Sequence, residues 1–586
     1  MSMAETGTTS VDTVGQAQPG RQPRRGWRDI LSLEHIVMAL AALVLMILVA
    51  YPITWLLLGS LGLPRDFSTR FITNVIVDTQ YMEPLLNTLV LGFAVMVAVV
   101  VMGVPMAWGV ARTDMPGQKF FRSAPLVAFL TAPYLSALAY IMLLGPNAGL
   151  LNKAIRAVFG LQQAPFNIFG PVGVIFVISA HLFAYAFFMT TSALESMDAS
   201  LEESAQILGA NKFQTMMRVT LPLVMPAISS AALLSFVASI ALFGPQAFLG
   251  LPERVYYLPT KIWTLLSTGY PPRYSEASAL GLGIVALTAF ALFVQRSFLE
   301  KRSYVVLSGK GTRPSRVKLG PWKWALCGYS FFIILISVIL PYGVFVVAAF
   351  SKDWLDGPSL SNFTLRNFPF VLFDDQRSSR AILNSFMLAA GAATLAVLLG
   401  LLISFIDLRT KIRGRRLLDY LSILPLGVPG IVLAVGLIQA WLRSPIPVYG
   451  TIWVLLIAYM TRYIPISVRS SNTAIRQVDA SLEEAARVAG ASWGDTMRRI
   501  TVPLVKPGLL VAWTLVFVPS LQELNTSILL YTQGTEVISV MIFKLNELGY
   551  FEAIAALSMI TVALAMTVLL ITRKLAGKSL EELAGT

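Results

Sequence analysis

The residues whose spacing could serve chemistry occur twice in this chain of 586 residues. SLEESAQILGANKFQTMMRVTLPLVMP begins at Ser200, and SLEEAARVAGASWGDTMRRITVPLVKP begins at Ser481. Paired glutamates (Glu202 and Glu203; Glu483 and Glu484), a glycine (Gly209; Gly490) and a proline (Pro222; Pro503) keep one register. Between Met197–Ile228 and Val478–Leu509, 17 of 32 positions are identical at a constant offset of 281. Adjacent carboxylates can move protons, but catalysis also asks for a nucleophile, a base or a metal nearby. Neither segment contains His or Cys, and the whole chain has two His and one Cys, Cys327. That excludes a His- or Cys-rich metal site, so no metal ligands are assigned. No GxxxxGK[ST] run is present for ATP hydrolysis through a phosphate-binding loop.

The doubled spacing instead reads as structure. Ser200 with Glu203, and Ser481 with Glu484, match a capping box at a helix N-terminus. Gly209 and Gly490 permit a left-handed stop. A second short helix is expected to end near Pro222 and Pro226, or Pro503 and Pro507. Leu201, Ala205 and Leu208 fall on one face, with Glu202 and Glu203 directed elsewhere. The segment has held its register while other loops drifted (DMPGQKF against TKIRGRR), so a partner is expected to dock on both copies.

A second group of candidates lies inside apolar runs: His181, Arg462 and Glu523, with Asn525 close by. A charge at the centre of a spanning helix costs at least about 2.5–3.5 kcal/mol, so such groups face a pathway or pair with one another. His181 and Arg462 share a repeat position, whereas Glu523 is matched by Leu242. The four residues could line a translocation route, with Arg462 suited to an anion or chelate and Glu523 to a cation. An Arg462–Glu523 ion pair between helices is the structural alternative. Breaks at 425–430 (PLGVPG) and 244–245 are further candidates for the route.

The elements that must position these residues are membrane spans. The chain is 56% hydrophobic and 13% charged, with mean hydropathy +0.70, which excludes an ordinary soluble protein. Apolar runs long enough to cross a bilayer occur at 36–59, 84–111, 123–144, 171–193, 227–249 and 276–298. A second six follow at 324–350, 383–406, 418–442, 448–468, 508–530 and 553–573. The fold class is therefore all-α, with about twelve spans in two parallel repeats of six. The expected layout is a disordered basic tail (1–33), a first repeat (34–300, core 84–298), a linker (301–322), a second repeat (323–575, core 383–574) and a tail (576–586). Eight Lys and Arg in 296–323, and five in RTKIRGRR (409–416), place the linker and both termini in the cytoplasm. The net charge of +14 follows from that orientation and requires no nucleic acid.

Glu-Glu-(Ser/Ala)-Ala-x-x-x-Gly, followed by Leu/Val-Pro-Leu-Val-x-Pro, resembles the EAA loop of type I binding-protein-dependent ABC importer permeases. In that family the loop is a coupling helix seated in a groove of a cytoplasmic ATPase. The resemblance therefore implies coupling roles for Ser200, Glu202, Glu203, Ala205, Gly209 and Pro222, and for Ser481, Glu483, Glu484, Ala486, Gly490 and Pro503. It also implies a transport subunit of the bacterial inner membrane that is not itself an enzyme and carries no cofactor. ATP and Mg would sit on two partner ATPase copies, and an external binding protein would deliver the solute. FGPQAFLGLPERVYYLPTKIW (243–263), FTLRNFPFVL (363–372), NSF (384–386), ILPLGVPGIVLAVGL (423–437) and LQELNTSILLYTQGTEVISVMIF (521–543) resemble the ferric-iron-type branch. Phosphonate, thiamine and polyamine permeases share much of that pattern, and a twelve-span ion-coupled secondary transporter is the alternative class.

Overall fold

The computed structural model describes residues 33–64, 67–268, 270–301, 317–410 and 412–577. All but residue 33 of the expected tail 1–33, all but residues 576 and 577 of the tail 576–586, and most of the linker 301–322 lie outside them. Among the described residues there is no β-strand, only two isolated bridges. The first half comprises α1 (His35–Ser60), α2 (Thr79–Arg112), α3 (Gln118–Leu130), α4 (Pro133–Leu144), α5 (Leu150–Phe159), α6 (Pro171–Ser196), α7 (Ala199–Ile207), α8 (Lys212–Ala241), α9 (Gly244–Gly250), α10 (Leu258–Ser267) and α11 (Tyr274–Gln295). The second comprises α12 (Trp322–Ala349), α13 (Gln376–Arg409), α14 (Arg415–Gly427), α15 (Gly430–Leu442), α16 (Ile452–Arg476), α17 (Ala480–Val488), α18 (Gly494–Leu521), α19 (Ser527–Leu530), α20 (Ile538–Leu548) and α21 (Phe551–Ala576).

Among the described residues, ten helices are long and apolar enough to cross a membrane, and twelve crossings result if each of two bent pairs is one span. The bent pairs fall on the runs expected at 123–144 and 418–442, and the second bend lies in the break expected at 425–430. α3 and α4 meet at 99°, and α14 and α15 at 113°. The cause is local: the residue before a proline is driven out of the helical region. Ala132, before Pro133, has ψ 135°, and Val428, before Pro429, has ψ 114°.

The spans expected at 227–249 and 508–530 also shift. α8 starts at Lys212 and α18 at Gly494, so Pro222, Pro226, Pro503 and Pro507, where a short helix was expected to end, lie inside continuous helices. One π-helical turn precedes each proline pair, at Met216–Thr220 and Met497–Thr501. The wider turn accommodates the N–H and ring geometry that Pro222 and Pro503 would otherwise disrupt. α8 and α18 end earlier than expected, at Ala241 and Leu521.

The halves repeat in contact as well as in sequence. α2 and α13 are both 34 residues long, and each is capped by an aspartate, Asp78 or Asp375, that accepts from the first N–H groups. Their residues correspond at an offset of 297, whereas α6 onward corresponds at 281. The difference lies in the connection after α4, where the first half carries the extra helix α5. Asn87 Nδ2 donates to Tyr256 O, and Leu258 N donates to Thr88 Oγ1 at 2.9 Å. In the second half Asn384 Nδ2 donates to Glu536 O, and Ile538 N donates to Ser385 Oγ at 2.8 Å. Each Asn-Thr or Asn-Ser pair thereby fixes the start of α10 or α20.

The first span of each half packs on the other half. α1 lies against α11 and α15, with Tyr51 Oη donating to Ala440 O at 3.0 Å and Thr461 Oγ1 to Leu48 O at 3.0 Å. α12 lies against α2, α3 and α4, and Tyr140 Oη donates to Ile336 O at 2.5 Å. The largest buried cluster runs continuously through both halves.

Small residues let the long helices approach one another. A Cβ on Gly103 would stand 2.8 Å from Ala186 Cβ, and one on the equivalent Gly400 would run into the Ser467 side chain. Gly400→Val should therefore separate α13 from α16 and cost about 1–3 kcal/mol by overpacking. The check is thermal unfolding of the purified chain in detergent, where a clear loss of melting temperature is expected relative to Gly391→Ala, whose nearest neighbour leaves 3.3 Å.

Candidate functional site: a doubled loop and a cavity between the halves

The two polar segments fold alike, but not as their capping-box pattern predicts. The N-caps are Asp198, which accepts from Ser200 N at 2.9 Å, and Asp479, which accepts from Ser481 N at 3.0 Å. An aspartate two residues before the serine outcompetes the expected Ser200–Glu203 and Ser481–Glu484 boxes. These backbone N–H bonds hold both Asp carboxyls below the usual carboxylate range. A depressed carboxyl contributes above its unfolded pKa and is lost only as pH falls through the lower folded value, so both caps are complete at neutral pH. α7 and α17 stop at glycines in the left-handed region, Gly209 at φ +90° and Gly490 at φ +86°.

The paired glutamates separate. Glu202 and Glu483 are buried, while Glu203 and Glu484 are exposed. Glu202 and Glu203 were expected to point together away from the face of Leu201, Ala205 and Leu208; they part instead, and the buried member is the loop's anchor. Thr220 Oγ1 donates to Glu202 Oε1 at 2.6 Å, and Arg112 Nη1 lies 3.7 Å from Glu202 Oε2. Thr501 Oγ1 donates to Glu483 Oε1 at 3.1 Å, and Arg409 Nε lies 3.4 Å from Glu483 Oε2. Each arginine ends its 34-residue helix and donates to the carbonyls at the close of α6 or α16. Arg112 Nη2 reaches Leu194 O and Met197 O; Arg409 Nη2 reaches Ile475 O and Val478 O. One guanidinium thus joins α2, α6 and α7, or α13, α16 and α17. Sequence reading missed both arginines and both threonines. The arginine signal was a shared position at an offset of 297, hidden because the loops themselves align at 281.

Facing outward, the first loop exposes Glu203, Leu201, Ile207 and Leu208, and the second Glu484, Leu482 and Val488. Ala205 and Ala486 are half-buried. Pro222 and Pro503 sit behind the loops, at the first turns after the π-helical segments. In the first half the chain entering the second repeat is strapped to this region. Val317 N donates to Arg112 O at 2.8 Å, Leu319 N to Asp114 Oδ1 at 2.9 Å, and Lys212 Nζ to Lys318 O at 2.7 Å.

His181, Arg462, Glu523 and Asn525 all line one cavity of about 420 Å³ formed by both halves. Glu523 and Asn525 are not within a helix; they occupy the interruption between α18 and α19. Among the described residues no ion pair joins Arg462 to Glu523. The carboxylate instead accepts from Tyr463 Oη at 2.6 Å, Thr526 N at 2.9 Å and Thr526 Oγ1 at 3.1 Å. Arg462 Nη1 donates to Val428 O at 2.6 Å, within the PLGVPG break. That break therefore supports the cavity through Arg462, whereas Gly244 and Pro245 line it directly. Phe243 N donates to Asn525 Oδ1 at 2.9 Å, and Gln522 Nε2 donates to Leu130 O at 3.3 Å, both across the halves. Beside them Phe543 of the second half packs on Phe243, Phe248 and Trp263 of the first. Among the described residues no group of three His, Cys, Asp or Glu side chains could hold a metal ion.

Two related bundles of spanning helices, each with a polar loop anchored at one end and sharing a cavity, define a membrane transport subunit. The chain belongs to the binding-protein-dependent transport system inner membrane component family, whose model matches residues 30–303 and 383–581. It is 28% identical to a ferric transport system permease protein of Haemophilus influenzae over 86% of this chain and 79% of that one. It is likewise 28% identical to the ferric transport system permease protein of Actinobacillus pleuropneumoniae, over 92% and 78%. A 2-aminoethylphosphonate transport system permease protein of Salmonella typhimurium is 25% identical, over 42% of this chain and 92% of that one.

Arg112→Leu should leave Glu202 buried with one hydroxyl partner, a loss of about 3–5 kcal/mol for a broken buried pair. Removing both charges with Arg112→Leu and Glu202→Leu should restore part of that stability. Thermal unfolding and protease sensitivity of the first loop in the three proteins provide the check; a double variant no better than the single one contradicts the anchor.

Proposed function

We propose that this chain is the permease of an ATP-driven importer of ferric iron, with two ATPase copies on the two loops and an external binding protein delivering the solute. ATP and Mg reside on the ATPases, and both termini and the loops face the cytoplasm, as the Lys and Arg distribution indicates. The observation that carries the reading is the doubled loop: identical register, a buried glutamate holding each copy to the bundle, and an exposed glutamate beside it. Glu203 and Glu484, with the apolar positions around them, form the contact for the ATPase. Glu202, Glu483, Ser200, Ser481, Ala205, Ala486, Gly209, Gly490, Pro222 and Pro503 set the loop's shape and attachment. Force applied to a loop passes through the Arg–Glu–Thr anchor to two spans, and the halves rock about the cavity. ATP and the loaded binding protein each favour one arrangement, and that difference is the coupling. His181, Arg462, Glu523 and Asn525 lie on the route. Ferric iron is favoured over a phosphonate because the ferric relatives match along most of the chain, the phosphonate relatives along less than half.

The test is uptake of radioactive iron into proteoliposomes containing the permease, its ATPase and its loaded binding protein. Glu203→Lys with Glu484→Lys should abolish uptake and stimulated ATP hydrolysis while the melting temperature is unchanged. Full stimulation in that variant would remove the docking role.

A further inference from the structure

We propose, resting on the transport reading above, that the cavity between the halves is an oxyanion site, so that iron crosses as an anionic oxygen chelate rather than as a bare cation. Both Glu523 oxygens are committed, to Tyr463 Oη, Thr526 N and Thr526 Oγ1. The Asn525 carbonyl oxygen is committed to Phe243 N. Glu523 and Asn525 are therefore engaged in holding the interruption after α18 in place. A bare ferric ion is a hard cation that needs several oxygen ligands, and among the described residues this lining holds a single carboxylate, already bonded to Tyr463 and Thr526.

The donors are in the opposite condition. A guanidinium carries five N–H donors, and Arg462 spends one, on Val428 O. No carboxylate lies within ion-pair distance of it among the described residues. His181, at the equivalent position of the first half, is 7% exposed and makes no hydrogen bond among the described residues, with Nδ1 buried and unpartnered. The Tyr134 hydroxyl, also in the lining, is buried without a partner. An unpaired guanidinium at membrane depth is costly, and a planar oxyanion satisfies it through two parallel bonds. His181 and Tyr134 could add bonds from the first half, so the ligand would be gripped by both repeats. The volume of about 420 Å³ is within the range that encloses a small organic ligand.

The oxyanion could belong to a carboxylate chelate of iron or to a free phosphonate, and two probes separate these sources. Binding to the purified full chain in nanodiscs would be measured by calorimetry with ferric citrate, 2-aminoethylphosphonate and manganese(II) alone. One of the two oxyanions should bind. Arg462→Gln should weaken it roughly tenfold to a hundredfold, the range for losing a charged hydrogen-bond partner. Arg462→Lys should recover part of the loss. Ferric citrate as the bound probe supports the chelate; 2-aminoethylphosphonate as the bound probe keeps the site but overturns passage of iron as a chelate. Manganese(II) binding that is lost in Glu523→Gln, no oxyanion binding, or binding indifferent to Arg462→Gln overturns the site. Radioactive iron uptake by the wild-type chain is scored separately: uptake without oxyanion binding defeats the site alone, and Arg462-dependent binding without uptake defeats the ferric reading alone.

Discussion

The structure depends on one buried interaction made twice, the guanidinium of Arg112 or Arg409 against the carboxylate of Glu202 or Glu483. Both partners of each pair are largely out of contact with solvent, so neither can be lost without leaving a charge stranded. Because each arginine also binds the terminal carbonyls of α6 or α16, the polar loop cannot move independently of the bundle. A short helix of nine residues would be marginal by itself in water. Anchored this way, it becomes a rigid projection of two spans.

The opposite end of that mechanical path is the set of interruptions at the cavity. Straight helices would pack the two halves into a continuous core with no room for a solute. Pro133, Pro429 and the non-helical residues after Ala241 and Leu521 open the bundle. The polar groups freed by the breaks are met by side chains reaching over from neighbouring elements. Arg462 holds the Val428 carbonyl, and Asn525 holds the Phe243 N–H across the halves. Irregular backbone is tolerated at membrane depth where it borders a cavity, and here the same residues both satisfy the backbone and line the space.

Much of this was legible in the sequence. The all-α class, the two repeats and the doubled loop follow from hydropathy and register. The glycine stops follow from the need for a positive φ at Gly209 and Gly490. Three features were not legible, each for a physical reason. The capping box failed because Asp198 and Asp479 compete for the same N–H groups at shorter reach. The bend at Ala132 arises from proline sterics that a hydropathy window averages away, whereas the one at Val428 falls in the break expected from PLGVPG. The anchors were hidden because Glu202 and Glu203 are chemically identical neighbours, and only the position of an arginine some ninety residues earlier in the chain decides which one is buried. The separation of Arg462 from Glu523 was likewise undecidable from sequence, since Tyr463 and Thr526 compete for the same carboxylate.

The central claim is that the two loops are handles through which a partner moves the halves. The direct measurement is the distance between spin labels at Ile207→Cys and Val488→Cys, in a Cys327→Ser background, with the chain reconstituted with its ATPase. Both sites are highly exposed and occupy equivalent positions. The account predicts a shorter inter-loop distance when ATP is bound than when it is absent. An unchanged distance with the ATPase bound and ATP turning over would contradict it.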